Sequence, residues 1–202
     1  MEQKSYYALY RAIGYLGILL IPLDIWKCGW VIPPSTSQSY YLGAIVPFVV
    51  IIGSMGIIFF FNLGFDWRDE ICNKISGLAA IGVISFPCES PKVLLGLIPY
   101  PTMHYASAIL LFSTFAFMCF FVFTRYRSTG SDRLKAIRNR VYVTCGFGIV
   151  VGMVCFIILK GKTHISWSEY LMIVSFVIAY LVQGGVALKE NSLISVAVKT
   201  LK

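Results

Sequence analysis

From Leu42 to Asn62 the chain runs LGAIVPFVVIIGSMGIIFFFN, uncharged throughout, with Ser54 and Asn62 its only hydrophilic side chains. Such a run is long enough to cross a hydrocarbon layer of ~30 Å as a helix of ~20 residues. Comparable apolar segments at 12–31, 71–88, 105–124, 141–159 and 169–188 are separated by short polar stretches. The pattern predicts an all-α fold, a polytopic membrane helical bundle of six transmembrane helices forming a single integral membrane domain over 1–202. The third segment is the weakest. Its apolar core, ISGLAAIGVISFP, is short, and the following PKVLLGLIPYPTM reads either as a loop or as a re-entrant segment, which needs cover from protein or water. The first segment can also be read as a signal peptide after Lys4 and Arg11, but Asp24, Trp26 and Lys27 stand where a small-residue cleavage site belongs.

Composition strengthens the membrane reading. The chain is 58% hydrophobic and 13% charged, against about 45–50% and about 25% in soluble domains. With six spans both termini lie on one side. If that side is cytoplasmic, it holds Lys4, Arg11, Arg68, Lys74, Arg125, Arg127, Arg133, Lys135, Arg138, Arg140, Lys189, Lys199 and Lys202, leaving only Lys27, Lys92, Lys160 and Lys162 outside. This is the asymmetry expected of the positive-inside rule.

The run RYRSTGSDRLKAIRNR, residues 125–140, contributes most to that bias and is read first as a topological signal. Its functional readings are attraction to anionic lipid, worth about 1 kcal/mol per basic residue near a charged surface, or docking of an acidic cytoplasmic protein partner. Nucleic acid is disfavoured as a partner because Tyr126 is the only aromatic residue in the run.

Trp26, Trp30, Trp67 and Trp167 fall at predicted span ends, where an interfacial aromatic belt would place them. In the tail, Leu193, Ala197 and Leu201 recur at helical spacing, so 189–202 reads as an interfacial amphipathic helix or a frayed end. Four of the six cysteines, Cys72, Cys119, Cys145 and Cys155, read as small apolar residues. Cys28 and Cys88 share the outer side, where a disulfide between them is open.

Ionisable groups within a membrane protein are candidates for function. Asp24, Glu89, His104, His164 and Glu169 map to the outer ends of different spans, and they include both histidines. His104, His164 and Glu169 are the candidate catalytic and metal-binding residues. Their convergence would hold zinc, whose bound water attacks a lipid ester or amide. The alternative is that each group is solvated, caps a helix or pairs with a lysine; a carboxylate such as Glu169 at a helix N-terminus gains ~0.3–1 kcal/mol from the dipole.

On the inner side, GFDWRDE gathers Asp66, Arg68, Asp69 and Glu70. These carboxylates either latch onto the basic run or form a solvated turn. Asp66, Arg68, Asp69, Arg133, Lys135, Arg138 and Arg140 are the candidate binding residues of a cytoplasmic contact surface. Gly148 and Gly152 form a GxxxG motif, suited to close helix packing within the chain or to a homo-oligomer. Pro22 and Pro47 lie inside predicted spans and are expected to kink them. The sequence contains no Gly-rich phosphate loop, GxSxG elbow, CxxC or HExxH.

The segments SQSYY, GFDWRDE, ISFPCES, HYASAILLF, FVFTR, RNRVYVTCG and SWSEYL, in that order, resemble a family of uncharacterised bacterial six-helix integral membrane proteins over about 35–184. The likeness extends more weakly to Frag1 and DRAM-type membrane proteins. It implies a compact six-helix bundle, favours the bacterial inner membrane and singles out Tyr40, Tyr41, Asp66, Asp69, Pro87, His104, Ser107, Arg138, Asn139, Tyr142 and Glu169. It implies no reaction. FPCES and the Pro-rich loop after it depart from the family pattern, which weakens any role for Cys88 or Glu89.

Two functional expectations follow. The first is a non-enzymatic membrane sensor or signalling accessory module with a basic cytoplasmic contact loop, of the kind found in stress or phage defence. The second is a metal-dependent membrane hydrolase acting on lipid at the outer side. A channel or transporter is disfavoured by the absence of internal repeats and of charges deep within the predicted spans.

Overall fold

The computed structural model describes residues 2–125, 132–159 and 165–188. Among them are six α-helices: α1 (Glu2–Lys27), α2 (Ile45–Phe61), α3 (Trp67–Ser85), α4 (Tyr100–Phe117), α5 (Asp132–Leu159) and α6 (Ser166–Gln183). They form an all-helical bundle in chain order, each helix packing on the next, with α6 closing against α1. Residues 126–131 of the basic run, His164 and the tail 189–202 lie outside the described residues.

Four helical segments, Tyr6–Lys27, Tyr100–Arg125, Arg133–Leu159 and Ser166–Gln183, are long and apolar enough to cross a membrane. The other two expected spans are less complete. α2 is uncharged and apolar apart from Ser54 but has 17 residues, a rise of about 25 Å. α3 opens with Arg68, Asp69, Glu70 and Lys74, which lower its apolarity, although its outward Leu78 and Ile81 are exposed.

The boundaries also move. α1 begins well before residue 12 and stops at Lys27, because Gly29 and Trp30 take positive φ values of 76° and 63°. Pro47 lies in the first turn of α2 rather than in mid-span, where its missing N–H is no loss. The stretch after α3 takes the form of a short connecting loop whose last residues, from Tyr100, open α4. It carries a small, mostly exposed hairpin of two-residue strands, β1 (Val93–Leu94) and β2 (Ile98–Pro99), turning through Leu95 and Gly96 at positive φ. α4 continues through a π-helical turn at Met118–Val122 and a 3-10 turn to Arg125. α5 starts at Asp132, so Arg133, Lys135, Arg138 and Arg140 sit on its opening turns and not in a loop.

α6 is the most deeply packed of these helices, and its inner face carries the core. Phe176 stacks on Phe115 of α4 at 4.3 Å between centroids. Tyr180, fully buried, meets Phe59, Phe115 and Phe123 within 5.7 Å. Gly148 and Gly152 are consumed by this packing: a Cβ on Gly152 would lie 2.4 Å from Met172 Cγ and 2.8 Å from the Ser168 carbonyl oxygen, and one on Gly148 would lie 2.3 Å from Ser175 Oγ. The GxxxG face is therefore covered by α6, which is the within-chain packing that was one of its two expected uses, rather than a homo-oligomer contact through Gly148 and Gly152.

Candidate functional site: a polar-capped cavity at one end of the bundle

The helices alternate in direction, so α1, α3 and α5 finish at the end where α2, α4 and α6 begin. At this upper end the segment 33–39, PPSTSQS, is drawn into the bundle mouth instead of lying over it. Its backbone and hydroxyl groups must then find partners inside the protein. Ser166 supplies two: its Oγ donates to the Pro33 carbonyl at 2.6 Å, and its N–H donates to the Pro34 carbonyl at 3.1 Å. Glu169, one turn further along α6, accepts from Ser35 Oγ at 2.8 Å and from the Thr36 N–H. From α1, Asp24 holds the far side: the Ser39 hydroxyl lies 2.6 Å from Asp24 Oδ1 and 2.6 Å from the Thr36 carbonyl oxygen, sharing its one proton between them.

His104 grips the same segment from α4. Its Nδ1 is 2.9 Å from the carbonyl oxygens of Val83 and Phe86, which can only accept, so Nδ1 carries the proton. Nε2 is left as an acceptor for Ser37 Oγ at 2.9 Å. The imidazole thus bolts together α3, α4 and the 33–39 segment. Asp24, His104 and Glu169 are 0%, 2% and 7% exposed, which overturns the expectation that they are solvated at an interface.

Glu89 remains exposed, accepting from Gln38 Nε2. Lys27 stacks over Trp26. Cys28 and Cys88 are both free, and burial followed by the neighbouring Asp24 carboxylate pushes the Cys28 thiol up from its ordinary value. Among the described residues, no three His, Cys, Asp or Glu side chains are grouped to hold a metal ion.

Below this polar cap lies a cavity of about 100 Å³. Every helix contributes to it: Leu20, Met55, Val83, Phe112, Met153 and Met172 are among its apolar walls. Thr36, Ser37, His104 and Glu169 form its polar end. Ile109 of α4 and Ile157 of α5 also line it, yet they are 44% and 61% exposed on the bundle surface. The cavity therefore reaches the outer face between α4 and α5.

At the lower end, the structure separates the acidic residues of GFDWRDE from the basic run. Asp66 caps α3, accepting from the N–H groups of Arg68 and Asp69 at 3.0 Å. Glu70 pairs with Lys74 along one face of α3. Asp69, expected on a cytoplasmic contact surface, is fully buried; it accepts from Tyr10 Oη, from the Phe65 N–H at 3.0 Å and from Asn73 Nδ2 at 3.0 Å. Asp66 and Glu70 are thus used within α3 and Asp69 in the core, and the latch onto the basic run, one of the two readings of this cluster, is absent among the described residues. Arg68 and Arg125 instead border one surface groove with Phe117, Phe120 and Phe121. Arg133 and Arg140 are exposed on α5; Lys135 and Arg138 are half-buried.

The residues singled out by resemblance fall at both ends. Ser107 packs where Gly82 has no side chain, and Tyr142 donates to Gln183 Oε1 at 2.8 Å. The sequence reading missed Ser35, Thr36, Ser37 and Ser39. Their signal was a run of hydroxyl side chains between two apolar segments, indistinguishable from an ordinary surface loop until the buried carboxylates are seen to need donors. It also missed Tyr10, an aromatic in an apolar helix whose polar tip is used only across the bundle. Comparison with known protein families, curated proteins and solved structures found no match to this chain.

Proposed function

We propose that this chain is a non-enzymatic, multi-pass membrane module that responds to the membrane around it through a small molecule held between its helices. The carrying observation is the cavity itself, which touches all six helices and reaches the lipid-facing surface between α4 and α5. An occupant in such a place contacts every element at once, so it has a differential interaction energy with any rearrangement of the bundle. In this reading α2 and α3 also cross the bilayer, giving six spans. The bacterial inner membrane is the setting, both termini are cytoplasmic, and the polar cap faces outward. Arg68 and Arg125, with the basic turns of α5 from Arg133 to Arg140, form the cytoplasmic surface for anionic lipid or an acidic partner, in a sensor or accessory role such as stress or phage defence.

The test is native mass spectrometry of the full chain extracted in mild detergent. Ala108 of α4 lines the cavity, and retained amphiphile in the wild type, lost when Ala108→Trp fills that space, is the expected result. An occupant-free wild type that also fails to take up added amphiphile overturns the reading.

A metal-dependent lipid hydrolase is the second reading, favoured by one observation: His104 and Glu169 line the same cavity. It requires a metal to displace the hydrogen bonds that His104 makes to carbonyls and Ser37, or to use a third ligand such as His164. About one zinc per chain, lost in both His104→Ala and Glu169→Ala, is the result that selects it.

A further inference from the structure

The cavity has a chemical polarity that specifies its occupant. Of its walls, one end is polar, and that end contains the Glu169 carboxylate and no lysine or arginine. Glu169 accepts hydrogen bonds at both oxygens from groups that donate to it, Ser35 Oγ and the Thr36 N–H. His104, 2% exposed, is hydrogen-bonded to two carbonyl oxygens and the Ser37 hydroxyl, and to no carboxylate that would hold it as a cation. A second buried carboxyl, Asp24, stands behind the same segment with Oδ2 unpartnered. Thr36, 4% exposed and lining the cavity, holds its Oγ1 beside the Glu169 carboxylate without a well-formed hydrogen bond to it. A buried hydroxyl in this state retains hydrogen-bonding capacity that a ligand group can use.

We propose that the cavity binds a single-chain amphiphile whose head donates hydrogen bonds and carries no negative charge, with the head at Thr36 and Glu169 and the chain leaving between Ile109 and Ile157. This rests on the reading that the cavity takes a membrane-soluble ligand, and it adds the ligand's class. The volume supports one slender chain: about 100 Å³ is less than the ~150 Å³ of an apolar cavity that admits benzene. The exposed side chains of Ile109 and Ile157 leave the remaining chain in contact with lipid. An anionic head, such as a fatty-acid carboxylate, would meet Glu169 in a poorly screened setting with no counter-charge.

The experiment uses the full chain in nanodiscs with tritiated 1-dodecanol as the probe, displaced by unlabelled 1-dodecanol, dodecylamine or laurate at a pH where laurate is ionised. Saturable dodecanol binding is expected, with displacement by dodecylamine and at least about tenfold weaker displacement by laurate, the factor that ~1.4 kcal/mol of repulsion produces. Glu169→Gln should shrink the laurate penalty to less than about threefold, and Thr36→Val, which leaves every carboxylate in place, should weaken dodecanol while preserving the penalty. Ala108→Trp should abolish binding of all three. Laurate matching dodecanol in the wild type overturns the head-group assignment while leaving a ligand-binding cavity intact. No saturable binding of any probe overturns the ligand reading itself, and binding that survives Ala108→Trp places the site outside this cavity.

Discussion

The two ends of the bundle both bury carboxylates, but they use them differently. At the lower end Asp69 is held by three donors, and its Tyr10 partner is stacked against Phe65 at 5.7 Å and set edge-on to Phe123 at 6.0 Å. Helix is joined to helix, and aromatic rings fill the space around the polar contact. At the upper end Asp24 and Glu169 hold a segment of irregular backbone, and beside them are a cavity and unpartnered atoms on Asp24, Thr36 and Tyr170. The lower end also leaves Asn62 Nδ2, Asn73 Oδ1 and Ser76 Oγ without partners, so unsatisfied atoms alone do not distinguish the two. What distinguishes them is space: the upper polar groups face a volume that another molecule can enter.

If the lower end is a structural clasp, breaking it should produce the largest loss of stability. Asp69→Ala strands the Tyr10 hydroxyl and the Phe65 N–H in a buried setting, and an expected loss of about 3 kcal/mol follows. Thermal unfolding in mild detergent measures it, and a change below about 1 kcal/mol would remove the clasp from the account. Tyr10→Phe, which deletes one hydroxyl from the same cluster, should cost about 1.5–3 kcal/mol in the same assay.

Helix packing provides the next test. Gly152→Ala drives a methyl against the Ser168 backbone as well as Met172, whereas Gly148→Ala meets the Ser175 hydroxyl, which can rotate away. The first is expected to cost about 1–3 kcal/mol and the second less. Neither should change the oligomeric state measured by size-exclusion chromatography with light scattering; a shift in mass with unchanged melting would return these glycines to an intermolecular interface.

The smallest expected effect belongs to the upper end. Ser37→Ala removes the donor to His104 Nε2 but leaves both carbonyl contacts at Nδ1, so the loss should be about 1 kcal/mol. Because Ser37 lines the cavity, the same variant should alter amphiphile retention more than it alters melting. An equal fall in both, matching Asp69→Ala, would make the two ends alike and dissolve the contrast.

Hydropathy alone was enough to find the apolar helices, because lipid-scale apolar runs are a property of composition within a window and require no partner. It also placed the tryptophans at element ends, where Trp26, Trp30, Trp67 and Trp167 are 49–76% exposed. Charge counting was less informative about contacts. Asp66, Asp69 and Glu70 are adjacent in sequence, but helical geometry sends them to a cap, to the core and to an outward ion pair. Likewise Asp24, His104 and Glu169 were visible as ionisable groups at span ends, but not as buried ones.

What the sequence by itself determined is the class of molecule: a mostly apolar, helical chain with strong basic bias around 125–140 and ionisable groups collected near predicted helix ends. Only the tertiary structure decided which polar atoms are paired, that 33–39 enters the bundle, that α6 covers Gly148 and Gly152, and that a cavity remains beneath the cap. The reason is physical. Membrane partitioning depends on the sum of local transfer free energies, whereas burial, pairing and empty volume depend on which side chains from distant parts of the chain arrive at the same place.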